Sequence, residues 1–344
     1  MRKMRPDDNL ADELVEKIIQ EKNDILIQAD EMIKKKDYRK AAKLYRQAAS
    51  RLRRIDSIID TEQNFSERNT LNDLSGRRWL KSTKSWIIAD GKPSDIPKEI
   101  KNHPASYPPS LASHFIEKKK KKGDWVLDHF MGIGSTMQAC CDLKRNCWGI
   151  ELNPVYAQYA RDRIRHEDES QIRTEVFVAD ARNALTLANE NNIPQAEFLI
   201  TSPPYWNILK TSRGGVQSTH KKRIKEGLDE VYSDKVEDLG NISSYQQYLE
   251  AIVQIFSDIK KILTSDAYLC VIVQNIRPKN GIMRPLAWDI GRRLGKVYDL
   301  RQEFIWCQNQ KNLGIWGYPT TYVSNVHHHY CLIFQNNMNA ENTN

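Results

Sequence analysis

The 344-residue chain is 28% charged and 40% hydrophobic, enough for one large α/β core with a smaller appendage. Lysine and arginine outnumber aspartate and glutamate by 52 to 44, and the resulting net charge of +8 suits a polyanionic partner. No apolar run approaches the roughly 20 residues of a membrane span, the stretch Met1–Asp8 lacks the apolar region of a secretory leader, and six cysteines without a Cys-x-x-Cys pair argue against a disulfide scaffold or a zinc site. A soluble protein of the reducing cytoplasm, without membrane association, is expected.

Residues 10 to about 62 read as two helices. Leu10, Leu14, Ile18, Ile25 and Met32 keep a helical stripe in the first. The run Lys34-Lys35-Lys36-Asp37 interrupts, and Asp37 is placed to cap a second helix from Tyr38. That helix carries Ala41, Leu44, Tyr45, Ala48, Ala49 and Leu52 on one broad face. The small-residue spacing around Tyr45 resembles half of a tetratricopeptide unit, but no second copy follows, so a repeat array is not expected. Residues 1–74 are therefore read as a helical hairpin with a polar linker, an appendage that packs or dimerises, with DNA or partner recognition as the alternative.

From Trp79 onward strands and helices alternate. Val126–Phe130, Cys147–Leu152, Glu175–Asp180, Phe198–Ser202 and Tyr268–Asn275 read as strands; 135–144, 154–167, 181–191 and 245–264 read as helices between them. A helix near 285–296 and closing strands Glu303–Cys307 and Tyr330–Gln335 complete a domain over 75–335, followed by a polar tail, 336–344. The alternation predicts an α/β fold with helices on both faces of a largely parallel sheet. Residues 206–243 are basic, contain glycine and lack periodicity, so they read as a long loop.

The segment Asp128-His129-Phe130-Met131-Gly132-Ile133-Gly134 is a strand end running into a glycine-rich turn before a helix, where a ligand can approach the backbone. The next strand ends at Glu151, placed to accept from ribose hydroxyls, and the third ends at Asp180. Three acids at successive strand ends line the carboxyl edge of an open sheet, the edge where nucleoside-type ligands bind.

The fourth strand ends in Ser202-Pro203-Pro204-Tyr205. An exocyclic base amine is a weak nucleophile because its lone pair is delocalised into the ring. Ser202 Oγ and the Pro203 carbonyl are candidate acceptors for its two N–H protons, which would drive the nitrogen towards tetrahedral geometry. The Pro203-Pro204 pair fixes φ and holds that carbonyl. Tyr205 offers a face on which an extruded base can stack.

These two segments together resemble the DNA amino-methyltransferases that make N4-methylcytosine or N6-methyladenine. The resemblance runs over roughly residues 75–335, through Trp79, Ser85-Trp86 and His103-Pro104-Ala105 upstream and Trp306 to His329-Tyr330-Cys331-Leu332-Ile333-Phe334 downstream. It implies a Rossmann-like methyltransferase sheet whose last strand runs antiparallel between its neighbours, with S-adenosylmethionine as cofactor and DNA as partner. It further implies that Asp128, Phe130, Gly132 and Gly134 shape the cofactor pocket, Glu151 holds the ribose, Asp180 lies near the adenine, and Ser85 and His103 surround the methionine part. His129 stands where the family usually has proline, and Met131 where a small residue is common. Serine at the first position of the tetrapeptide favours cytosine N4 over adenine N6. A restriction-modification setting, with a cognate endonuclease, goes with the family.

Lys210, Arg213, Lys221, Lys222 and Arg223 follow the tetrapeptide directly and are the candidate phosphate contacts. The Lys118–Lys122 run reads instead as a solvated helix end. His327-His328-His329 alternate sides on a strand with no evident partner, so no metal site is expected. No cysteine follows Pro203-Pro204, which disfavours the covalent chemistry of carbon-5 methylation. The alternatives are an RNA or protein-amine methyltransferase and an inactive DNA-binding relative.

Overall fold

A computed structural model describes residues 6–62, 68–89, 106–164, 172–206, 239–277, 282–309 and 319–337. The chain divides into two compact units, Met1–Thr83 and Lys84–Asn344.

In the first unit, α1 (Pro6–Lys34) and α2 (Tyr38–Glu62) form an antiparallel hairpin. Lys36 turns the chain at φ 58°, and the Asp37 carboxylate accepts the Lys40 N–H at 3.1 Å, so it caps α2 as its position suggests. Ile18, Ala29, Ala41 and Ala48 are buried at the seam. Ala49 and Tyr45 lie outside it, and the Tyr45 hydroxyl instead donates to Asp30 across the hairpin at 2.5 Å. A short helix, α3 (Gly76–Lys81), follows, with Ser75 capping the Arg78 N–H.

The second unit contains β1 (Trp86–Ile88), α4 (Pro109–Lys119), β2 (Trp125–Asp128), α5 (Ser135–Leu143), β3 (Asn146–Glu151), α6 (Pro154–Ile164), β4 (Thr174–Val178), α7 (Ala184–Glu190), β5 (Ala196–Thr201), α8 (Tyr245–Ile259), β6 (Leu263–Val273), α9 (Leu286–Leu294), β7 (Asp299–Cys307) and β8 (His328–Gln335). The eight strands make one sheet in the order β1-β7-β8-β6-β5-β2-β3-β4. All pairs are parallel except those of β8, which runs antiparallel between β6 and β7. The fold is the Rossmann-like methyltransferase sheet.

Successive side chains of a strand point to opposite faces, and the sheet uses both. Leu127, Trp148, Leu199 and Val271 pack under α7, α8 and α9. Val126, Cys147, Phe198 and Cys270 pack under α4, α5 and α6. The strand order reverses between β2 and β5, where the chain winds first towards β4 and later towards β6. Crevices at the carboxyl ends of strands open at such points.

Lys118–Lys120 are not a solvated helix end, although Lys122 is exposed. Lys120 is buried, burial lowers the Lys118 ammonium to about 8, and the Lys119 ammonium sits 4.1 Å from the Tyr268 ring. The amphipathic stems lie along the sheet, and this outweighs the expected exposure. Among the described residues no helix is long and apolar enough to cross a membrane, and no group of His, Cys, Asp and Glu is placed to hold a metal ion.

Candidate active site

The glycine-rich turn is built by the residues on either side of it. Gly132 and Gly134 have φ of +56° and +80°, a region that side chains disfavour. A Cβ on Gly134 would stand 2.7 Å from that of Ala160, so the turn also needs glycine to meet α6. The Glu151 carboxylate accepts the Gly132 N–H at 2.9 Å with one oxygen and the Asn153 N–H at 2.8 Å with the other. The end of β3 thus holds the loop that follows β2.

Asp128 holds the same loop from behind. Its carboxylate is fully buried and accepts from Tyr107 Oη (2.7 Å), Thr136 Oγ1 (2.6 Å), Thr201 Oγ1 (2.7 Å) and the Phe130 N–H (3.2 Å). Burial raises its pKa, and these donors oppose the rise. Tyr107 in turn is raised well above an ordinary phenol by burial and by the neighbouring carboxylate. Asp128 therefore ties the start of α4, the start of α5 and the end of β5 into one knot.

In front of this knot lies an open cleft. Phe130, Gly132, Glu151 and Asp180 line it, as do Ser202, Pro203 and Pro204. Two of the three strand-end acids and most of the tetrapeptide therefore share one cavity. Asp180 is engaged locally: its carboxylate accepts the Arg182 N–H at 2.8 Å and pairs with the Arg182 guanidinium at 3.3 Å. Asp128 and Gly134 stand outside the lining, as supports of the turn. Ser85 immediately precedes β1 at the far edge of the sheet, where its carbonyl accepts the Ile305 N–H, and it does not line the cleft.

Tyr205 does not offer its face to the cleft. Its ring is buried, 6.4 Å from His329, which stacks on Trp306 at 4.5 Å. A large apolar ring beside a packed sheet gains more from burial than from a solvent-facing wall. The turn itself is held by Tyr248 of α8, whose hydroxyl donates to the Pro204 carbonyl at 2.9 Å. Trp206 donates to the Ile242 carbonyl at 3.0 Å and meets the Tyr245 ring edge-on at 5.1 Å. His103, Lys210, Arg213, Lys221, Lys222 and Arg223 lie outside the described residues.

Sequence reading missed several lining residues. Ser106 and Tyr107 directly follow His103-Pro104-Ala105, so an extension of that segment would have found them. Ser135 lines the cleft at the first residue of α5, with its hydroxyl buried and no hydrogen-bond partner among the described residues. His129 also lines the cleft, and neither of its ring nitrogens has a partner there. Its ring packs on Phe130 and Phe256, and burial lowers its pKa to about 3, so it is neutral at physiological pH.

Parts of this chain are similar to known proteins. The profile of a DNA methylase family, which groups the N6 and N4 enzymes, matches residues 8–162. The Type II methyltransferase M.XycI of Xanthomonas campestris pv. cyanopsidis is 39% identical over 71 residues, covering 21% of this chain and 24% of that protein. The Type II methyltransferase M.BglI of Bacillus subtilis is 33% identical over 110 residues, covering 30% of each. These matches span only about a quarter to a third of the relatives' length. Among solved structures, the magnesium protoporphyrin IX methyltransferase of Synechocystis PCC 6803 aligns with a TM-score of 0.38 at 11% identity, over 75% of this chain and 89% of that one.

Proposed function

We propose that this chain, whose residues 8–162 match the profile of a DNA methylase family, transfers a methyl group from S-adenosylmethionine to an exocyclic base amine in DNA, with cytosine N4 as the target. The observation that carries the proposal is the single cleft lined both by Gly132 and Glu151 and by Ser202-Pro203-Pro204. A cofactor bound against the first group and a base amine against the second would share one cavity.

The donors and acceptors fit the cofactor. Ser135 presents an unsatisfied buried hydroxyl, Gly132 presents backbone without a side chain, and Glu151 keeps a carboxylate at the cleft wall. Phe130 supplies an apolar surface and Asp180 a second acceptor. S-Adenosylmethionine, when bound, supplies an electrophilic methyl group. The remaining work belongs to the chain. Ser202 Oγ and the Pro203 carbonyl accept from the amine and expose its lone pair, while Tyr248 keeps the Pro-Pro turn in place through the Pro204 carbonyl. Tyr205 serves this reading as a support packed behind the turn, not as a stacking platform.

The Type II names of the relatives support a further part of the proposal, a cognate restriction endonuclease acting on the same sequence in the cytoplasm. The test is to incubate the purified chain with labelled cofactor and mixed-sequence duplex DNA, then digest to nucleosides. Label in N4-methyldeoxycytidine is expected. Label in N6-methyldeoxyadenosine would move the target to adenine. Label only in RNA or peptide controls, or none at all, would overturn the proposal.

A further inference from the structure

We infer that residues 282–293 form a duplex-docking surface beside the catalytic turn, one that neutralises phosphates and wedges the stack where a base leaves it. The inference rests on the DNA reading above. It assigns the docking role to a segment other than the basic stretch that follows Tyr205.

Placement comes first. β6 lies next to β5, with Thr201 paired to Val271, so both strands end at the edge that carries Ser202. Beyond β6 the chain folds back, Ile276 and Arg284 exchanging backbone hydrogen bonds at 3.0 and 2.7 Å. Asn275 then accepts the Ala287 N–H at 2.9 Å and fixes the start of α9. The segment is coupled to the catalytic turn through Trp206. That ring packs on Tyr245, the Tyr245 hydroxyl donates to Asp289 at 2.6 Å, and the Arg284 guanidinium lies 5.7 Å from the same ring.

The chemistry follows from what this segment shows to solvent. Ile282 is 66% exposed, Met283 41% and Trp288 55%, three large apolar side chains within seven residues. Arg284 and Arg292 are exposed among them, and Trp288 and Arg292 lie one helical turn apart on α9. The one acid of the segment, Asp289, is held by Tyr245. Apolar side chains that cost free energy in water gain when inserted between base steps, and arginines beside them meet the flanking phosphates. An enzyme that acts on a base inside a duplex must unstack it, and this surface adjoins the turn where that base would arrive.

The experiment measures binding of the full chain to a fluorescent mixed-sequence duplex over a salt series, with cofactor affinity measured by calorimetry on the same preparations. For the double variant Arg284→Ala/Arg292→Ala we expect duplex affinity to fall about tenfold or more near 0.15 M salt, and the log–log salt slope to shrink by about 2. For Trp288→Ala and Ile282→Ala we expect a smaller rise of 2-aminopurine fluorescence at the target base. Unchanged cofactor affinity in each variant shows an intact fold. If wild type methylates DNA while the variants keep its duplex affinity, slope and fluorescence, this inference alone is overturned. If wild type binds cofactor but prefers RNA or ignores the duplex, both this inference and the DNA reading fall.

Discussion

The Glu151 carboxylate accepts the Gly132 N–H at 2.9 Å, so the end of β3 fixes the turn that follows β2. The same carboxylate lines the cleft, which gives one residue two tasks. Glu151→Ala is expected to weaken cofactor binding by about 1–3 kcal/mol, the range of a hydrogen bond to a charged group together with a stranded donor. Calorimetric titration with S-adenosylmethionine checks this, and an unchanged dissociation constant would remove Glu151 from the site.

Asp128 acts through packing. Four donors converge on a carboxylate with no solvent access; removing it strands Thr201 and leaves Tyr107 and Thr136 with only each other. Asp128→Ala is expected to cost about 3–5 kcal/mol of stability, as loss of a buried charged network does. Urea denaturation measures it. A loss below about 1 kcal/mol would mean that the knot is not structural.

His129 makes stability depend on pH. Its folded pKa is about 3, against about 6.5 when unfolded, so the unfolded chain binds the extra proton between those values. Stability is complete above about pH 6.5 and is lost as pH falls towards 3, at up to about 1.4 kcal/mol per unit. His114, also lowered to about 3 by burial, adds a parallel loss. His129→Leu is expected to flatten the acid limb by about one proton, read from melting temperature against pH. An acid limb identical to wild type would place the imidazole in water.

Tyr248 holds the Pro203-Pro204 turn without lining the cleft. Tyr248→Phe removes one hydrogen bond to the Pro204 carbonyl and keeps the ring. We expect kcat to fall about three- to tenfold with the cofactor dissociation constant unchanged, from roughly 1 kcal/mol of lost positioning. A variant whose cofactor affinity falls instead would mean that the bond supports the whole cleft.

Much of the fold was legible because its signals are periodic or local. The strands around Val126, Cys147 and Phe198 are apolar on both faces, and each is followed by a helical pattern. The acids at 128, 151 and 180 and the run from Ser202 to Tyr205 are contiguous motifs at strand ends. What stayed hidden is long-range. Tyr107 and Thr201 reach Asp128 from 21 and 73 residues away, and no spacing rule announces such a meeting. β1 spans only Trp86–Ile88, alternates between exposed and half-buried positions and pairs with β7 far downstream, so it carries no pattern of its own. Tyr205 was misplaced because a motif fixes chain position but not whether a ring turns outward or into the core. The segment at 282–293 overlaps the helix expected near 285–296, and only its contact with Tyr245 ties it to the site.

Single-turnover methyl transfer to duplex DNA by Ser202→Ala, compared with wild type at saturating cofactor, tests most directly whether the Ser202 end of the cleft is where the amine reacts. Ser202 lines the cleft. Its bond to the amine strengthens as positive charge develops on nitrogen, which is worth about 1.5–3 kcal/mol in the transition state. The account predicts a rate lower by roughly 10- to 150-fold, with the dissociation constants for cofactor and DNA within about twofold of wild type. A Ser202→Ala enzyme that transfers methyl groups at the wild-type rate would contradict it.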